Sequence, residues 1–433
     1  MLYGDACSGI PGALHERTFA AVNAVLRRLT PPPEFIVFTG DEIAGLTVDP
    51  QQLRAQWDYW LANEMGWLDR RTTPIWHATG NHTTYDQMSE TVFREVLKLP
   101  RNGPPGQDGL SYWVRRDDLL VIFVHTHWSA LGGEGHVEVE WLQEVLRRHS
   151  DARHKLVVGH HPVHPINGFS GPYQREIGPE HAPEFWSSLV EAEVLAYVCG
   201  HILAFDVQVH QGVLQICTAG AGTAHRMPEG IEYLHCVQAA LDAEGLRYQV
   251  LDANGLLRER LGWPIPSPSA ERWRILPAGE SDAPLTGKLQ PGKFVMLRLT
   301  GQTAAAEASA AQTLFSAFSP KTMAPLWVGF CGPRQMLMIT IGGEPGRSPH
   351  YWLGPGIERG SRFVFDLLFH ADMGPGGILY RAGSVKHWSS LAAASATGVE
   401  QLDWAEHWSV GHAQGGPADR RFLGTELTIS VAV

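Results

Sequence analysis

Four side-chain types that bind divalent transition cations recur at the ends of short apolar runs in the first half of this chain. Leu2-Tyr3 precedes Gly4-Asp5-Ala6-Cys7, Phe35 to Phe38 precedes Gly40-Asp41, and Pro74 to Ala78 precedes Gly80-Asn81-His82. Leu156 to Val158 precedes Gly159-His160-His161, and Val194 to Val198 precedes Gly200-His201. Carboxylate, carboxamide oxygen, imidazole and thiolate together suit zinc, manganese or iron(II). Two such ions about 3.5 to 4 Å apart would activate a water and polarise a substrate oxygen. One carboxylate must bridge them.

Residues so far apart in sequence converge only if their strands deliver them to one edge. Buried strands of an open α/β sheet do this, because the loops at their carboxyl ends gather where ligands bind. Between the runs lie helical patterns over Leu14 to Leu29, Gln51 to Leu68 and Val139 to Arg148. Trp57, Trp60 and Trp67 fall at helical spacing and read as core rather than as a ligand platform.

In their order, Gly40-Asp41, Gly80-Asn81-His82, Gly159-His160-His161-Pro162 and Gly200-His201 resemble the calcineurin-like metallophosphoesterase superfamily, which includes purple acid phosphatases and cyclic-nucleotide phosphodiesterases. The resemblance covers about residues 1 to 225. It implies a double β-sheet sandwich flanked by helices, with Asp41 bridging two metals and Asn81, His160 and His201 completing the second metal site. It also implies that His82 faces the phosphoryl group and supports leaving-group departure.

The departures from that pattern fall mostly on the other metal. The first block reads Asp5-Ala6-Cys7 where the family has Asp-x-His, and Leu203 stands where the family has a second histidine. The tyrosine with which purple acid phosphatases can replace the first-block histidine would fall at Ala44, and the acid after Gly-Asn-His is Thr83. Asp5 and Asp41 are left as candidates for the first metal, with Cys7 as a soft ligand or as a small buried strand-end residue. Asp206 and His210 are candidate replacements.

Plainer explanations stand beside these roles. Asp41 could cap a helix, Asn81 could be a turn residue, and His160 and His201 could be strand-end histidines with ordinary partners. His125, His127, His161, His164 and His225 could orient ligands or line a phosphate pocket, or lie on the surface.

The 433 residues, 44% of them hydrophobic, suffice for two packed domains. A net charge of −11 without basic runs argues against broad nucleic-acid contact. No apolar stretch approaches the length of a membrane span, and no signal-peptide pattern is visible. Five scattered cysteines form no disulfide framework, which is the pattern of a reducing, cytoplasmic interior.

Pro-rich sequence over 258–284 reads as a linker between a catalytic domain at 1–257 and an all-β domain at 285–433. The latter carries strand-like runs at Phe294 to Leu299, Met336 to Ile341, Phe363 to Phe369, Ile378 to Tyr380 and Leu427 to Val433. Its close, Trp408-Ser409-Val410-Gly411 and Phe422 to Leu427, loosely resembles laminin-G or concanavalin-like jelly rolls. Trp352, Trp388, Trp404 and Trp408 are either core or a platform for a glycan or protein ligand.

The expected function is hydrolysis of a small phosphate mono- or diester by a metal-bound hydroxide, with one or two ions of iron, manganese or zinc. The alternatives are a catalytically weak metal-binding protein that recognises glycan or protein ligands, and a different metal-dependent reaction on the same scaffold.

Overall fold

The computed structural model describes residues 1–128, 133–166, 176–223, 232–281, 285, 293–306, 311–318, 326–342, 350–394, 407–413 and 420–433. The chain forms two compact units, 1–208 with 212–264, and 209–211 with 265–433.

In the first unit, β1 (Leu2–Tyr3), β2 (Ile36–Phe38) and β3 (Ile75–His77) run parallel, side by side. Beyond β1 the same six-stranded sheet continues antiparallel through three later strands, His235–Asp242, Gly245–Asp252 and Leu257–Trp263. A second six-stranded sheet contains β4 (Tyr112–Arg116), β5 (Leu119–Phe123), β8 (His154–Val158), β9 (Ala196–Cys199), β10 (Phe205–His210) and β11 (Val213–Thr218). Two short strands, β6 (His127–Trp128) and β7 (Gly133–Glu134), form a separate pair between β5 and β8. Strands β5, β8, β9 and β11 are mutually parallel, so their carboxyl ends emerge on one edge.

Helices cover these sheets through apolar faces. In α1 (Leu14–Leu26), Phe19, Val22, Val25 and Leu26 are buried; in α4 (Val139–Arg148), which follows α2 (Pro50–Tyr59) and α3 (Gln87–Leu97), the buried face is Val139, Leu142, Val145 and Leu146. A fifth helix, α5, spans Ala182–Glu191. The tryptophan-rich segment divides into α2, capped by Asp49 on the Gln51 amide, and a π-helical turn over Trp60–Glu64. Trp57 and Trp60 are fully buried with Phe19, Phe38 and Phe93, in the core role expected of them. The π turn points Glu64 back at the loop after β1, where its carboxylate accepts from the Ser8 hydroxyl and, at 3.0 Å, the Gly9 amide.

The Pro-rich stretch is structured at both ends. Residues 257–263 add an edge strand to the first sheet by antiparallel pairing of Leu246 to Leu251 with Leu257 to Trp263, with a bulge at Val250/Leu251, and Arg274–Leu276 and Gly279–Ser281 are strands of the second unit. The alternation Leu257, Leu261, Trp263 is broken by Glu259 on the same face, with Leu261 and Trp263 buried and Leu257 exposed, and proline begins only at Pro264.

The second unit is all-β. Phe294–Gln302 lies between Arg362–His370 and Thr425–Ala432 in a six-stranded sheet, and a seven-stranded sheet contains Leu326–Cys331 and Met336–Ile341. Their facing side chains form one core in which Trp352 and Trp408 are buried. Trp388 is buried with the Arg381 guanidinium 4.6 Å from its ring, so none of these three is an exposed platform; Trp404 lies outside the described residues. No described helix is long and apolar enough to cross a membrane.

Candidate metal centre

The loops after β1, β2, β3, β8 and β9 meet at one edge of the first unit, and each carries one of the anticipated polar clusters. Beyond the formal strands the first two loops stay paired: Asp5, Cys7 and Ser8 amides donate to the carbonyls of Gly40, Asp41 and Glu42 at 2.8 to 3.0 Å. Holding this pairing while turning the side chains inward requires left-handed backbone. Asp5 (φ 62°), Cys7 (φ 44°), Asp41 (φ 58°) and His201 (φ 69°) all adopt it without being glycine. Strain of this kind clusters at functional sites.

Gly80 is required by close approach. A Cβ there would lie 2.1 Å from Asp41 Oδ1 and 2.5 Å from the Asp41 amide nitrogen. Its absence lets the β3 loop dock on the β2 loop, and the His82 amide then donates to Asp41 Oδ1 at 2.8 Å. That bond fixes the carboxylate and leaves Oδ2 facing the centre. Asp41 caps no helix in this arrangement.

Four donor atoms converge there. Asn81 Oδ1 is 3.0 Å from His160 Nε2 and 2.8 Å from His201 Nδ1, these two nitrogens are 3.2 Å apart, and Asp41 Oδ2 is 3.3 Å from His160 Nε2. The His160 Nδ1–H donates to the Thr39 carbonyl at 2.8 Å, so Nε2 is the nitrogen turned to the cluster. Each of the four atoms can offer an electron pair, the two imidazoles through the unprotonated form of the nitrogen turned to the others, so a cation that takes oxygen and imidazole ligands fits among them.

Electrostatics describe the same need. Burial would lift Asp41 and lower His160, yet their proximity overrides both: Asp41 is held well below the usual carboxylate range and His160 is pushed up to about 10. Asp5 lacks so close a partner. Burial pushes its carboxyl up to about 8, against the pull of His160 and of the His201 amide, which lies 3.1 and 3.2 Å from its two oxygens. Burial, with Asp41 and Asp5 adding to it, also holds the Cys7 thiol well above its ordinary value, so a thiolate would form there only beside a cation.

The donors anticipated for a first metal do not form one set. Asp5 groups with Asp41 and His160, while Cys7 groups with Asp41 and His82, each trio having its candidate atoms within 4.8 Å of one another. Leu203 and Ala44 bring no donor side chain. Asp206, hydrogen-bonded by Gln208 at 2.7 Å, and His210 enter none of the described clusters. His82 donates from Nδ1 to the Ala44 carbonyl at 2.7 Å, so a main-chain oxygen orients the ring where Thr83 replaces an acid. The Thr83 hydroxyl instead bonds back to Gly80.

The sequence pattern did not single out Glu42 and His77, a fully buried pair 2.8 Å apart beneath the site. His125, His127 and His161 are buried beside the centre rather than on the surface. Burial holds the imidazoles of His127 and His161 well below their ordinary value, hence neutral. His164 packs on Trp186 instead, and His225 lies outside the described residues.

No protein-family model matches the chain, and no curated protein does. Among solved structures it is similar to a purple acid phosphatase from yellow lupin (Lupinus luteus) seeds, with 12% identity over 60% of this chain and 52% of that one, at a TM-score of 0.44. It is also similar to GAP50, the anchor in the inner membrane complex of Plasmodium, with 15% identity over 61% and 88% of the two chains and a TM-score of 0.39. The CBM40 module of a Ruminococcus gnavus sialidase, bound to α2,6 sialyllactose, is similar over 37% of this chain and 90% of that one, with 12% identity and a TM-score of 0.26. The chain thus spans about half the length of the lupin enzyme. At these TM-scores the likenesses carry no residue's role across, and the assignments at this edge rest on its own geometry.

Proposed function

We propose that the first unit is a metal-dependent hydrolase of small phosphate esters, with Asp41, Asn81, His160 and His201 holding its better-formed cation. The observation that carries this reading is the triangle of Asn81 Oδ1, His160 Nε2 and His201 Nδ1, whose sides are 2.8 to 3.2 Å, with Asp41 Oδ2 3.3 Å from His160 Nε2. The cation would supply Lewis-acid polarisation of the phosphoryl oxygen and an activated water.

The remaining work falls to the chain. Asp41 is fixed by the His82 amide through Oδ1 and presents Oδ2. His160 is locked by Thr39 in the tautomer that offers Nε2. The Nδ1–H of His82 is committed to the Ala44 carbonyl, so Nε2 is the atom that exchanges a proton with the leaving oxygen. Asp5 bonds the His201 amide and so braces the β9 loop against the β1 loop.

A second reading is favoured by one specific feature. Asp5 and Cys7 fall in separate donor clusters and Leu203 contributes none, so the first metal position is weaker than the second. A site with one well-held cation stabilises only part of the charge on the phosphoryl group, and activity on generic esters is correspondingly low. The limit of that trend is a catalytically weak metal-binding protein whose second unit takes a glycan or protein ligand.

Metal analysis of protein purified without added metal, paired with turnover of p-nitrophenyl phosphate and bis-p-nitrophenyl phosphate, tests the proposal. At least one tightly bound transition metal and slow turnover that falls on His201→Ala are expected. Metal-loaded protein inactive on both esters shifts the reading to the binding role, and protein that takes up no metal removes both.

A further inference from the structure

Two histidines beyond the four-donor set face the same centre. His161 directly follows His160, and its ring has turned toward the cluster: its centroid lies 5.0 Å from that of His160 and 4.5 Å from that of His201. The side chain is fully buried. Its Nδ1 lies 2.8 Å from the Thr126 hydroxyl, while Nε2 has no hydrogen-bond partner among the described residues. With Nδ1–H donating to Thr126, Nε2 carries a bare electron pair. A ring nitrogen from each of His160, His161 and His201 lies within 4.8 Å of the other two.

His127 closes the same wall. It is 1% exposed, neither of its ring nitrogens has a hydrogen-bond partner among the described residues, and its ring lies 4.8 Å from that of His161. Buried imidazole nitrogens are ordinarily satisfied. The His160–His201 pair is at 3.2 Å, and a nitrogen of His161 lies within 4.8 Å of both residues' ligand atoms.

We propose that His161 is a ligand of this centre, giving one cation three imidazoles, and that the centre therefore takes zinc or iron(II) in preference to manganese or magnesium. The inference rests on the reading of Asp41, Asn81, His160 and His201 as a metal centre. It differs from that reading by adding nitrogen to a set otherwise half oxygen, and imidazole nitrogen favours zinc and iron while carboxylate, carbonyl and water favour manganese and magnesium. His161 also occupies a coordination position that solvent would otherwise fill, and His127 keeps the wall behind it polar.

The test uses the full chain, stripped with a chelator and reloaded with one equivalent of zinc or cobalt(II). Outer-shell X-ray absorption of the zinc-loaded wild type should count three imidazoles; a count of two overturns the proposal without recourse to any variant. His161→Gln, close in volume and still polar, should weaken zinc binding roughly 100-fold. It should also shrink the zinc-over-manganese preference in an equimolar competition read by elemental analysis, and change the cobalt(II) d–d absorption. Unchanged affinity, preference and cobalt spectrum in His161→Gln overturn the proposal while leaving the four-donor centre standing. A wild type that binds neither zinc nor cobalt, or a His201→Ala variant that keeps full affinity, removes the centre itself and the inference with it.

Discussion

His160→Ala separates the electrostatic role of the His160–Asp41 pair from its role in holding metal. In chelator-stripped protein the charged imidazole is the counterion of a carboxylate that is only 2% exposed. Its ionisation is raised from 6.5 to about 10 in the fold. A raised value contributes stability that is complete below pH 6.5 and is lost as pH rises through about 10. At pH 7.5 the protein sits well below the folded value, so the pair contributes on the order of a few kcal/mol. Removing one partner of a buried pair costs about 3–5 kcal/mol in general, and here Asp41 can limit the loss by taking up a proton.

The two units need not unfold together, so a whole-chain melt is the wrong assay. Pulse proteolysis across a urea series, with the first unit followed by fragment mass, isolates it. With a urea dependence of about 3 kcal/mol per molar, the midpoint of stripped His160→Ala should fall by about 1 M or more at pH 7.5, and the gap from wild type should narrow by pH 10.5 to the part due to lost packing. Added zinc should raise the wild-type midpoint and leave the variant's unchanged. A midpoint shift under about 0.3 M, or one equal at both pH values, would refute the pairing argument. Full metal content in the variant would refute the ligand assignment.

His82→Ala should lower turnover of bis-p-nitrophenyl phosphate by about 100-fold or more while metal content, read by elemental analysis, stays near that of wild type. Equal loss of metal and rate would place His82 among the ligands instead, as its grouping with Cys7 and Asp41 allows. Cys7→His should raise the metal-to-protein ratio above that of wild type, and Cys7→Ser should leave it equal or lower; identical ratios in all three proteins would make Cys7 purely structural. A fragment spanning residues 1–264 should bind zinc with the stoichiometry of the full chain, whereas one ending at residue 256 should aggregate because it lacks the Leu257–Trp263 edge strand. Equal behaviour of the two fragments would show that this strand is dispensable.

The strand ends were legible because each pairs a short apolar run with a polar cluster, and all five runs overlap strands. Asp41, Asn81, His160 and His201 therefore meet in space as their positions at strand ends anticipate. What stayed hidden depends on contacts between segments far apart in sequence. Nothing local to Cys7 reveals that its sulfur sides with His82 while Asp5 sides with His160. The carbonyl of Ala44, which holds His82, is invisible to any reading of side-chain types. His161 was legible as a histidine but not as a neighbour of His201, because in a regular strand it would face away from His160. The Pro-rich stretch misled because its prolines begin at Pro264, immediately after a strand whose alternation is short and interrupted by charge.

The left-handed backbone at Asp5, Cys7, Asp41 and His201 sets this edge of the molecule against thermal robustness. An L-residue other than glycine, asparagine or aspartate gives up about 1–2 kcal/mol in that conformation. Cys7 and His201 therefore hold conformations that glycine would adopt with less strain. A library selected only for resistance to heat would drift toward glycine or asparagine at these two positions, each step looking like an improvement. Its winners would keep the two six-stranded sheets of the first unit and every helix and yet have lost the imidazole of His201. Any stabilisation of this protein by directed evolution therefore has to be scored on metal retention as well as on melting, or the most stable clones will be the emptiest ones.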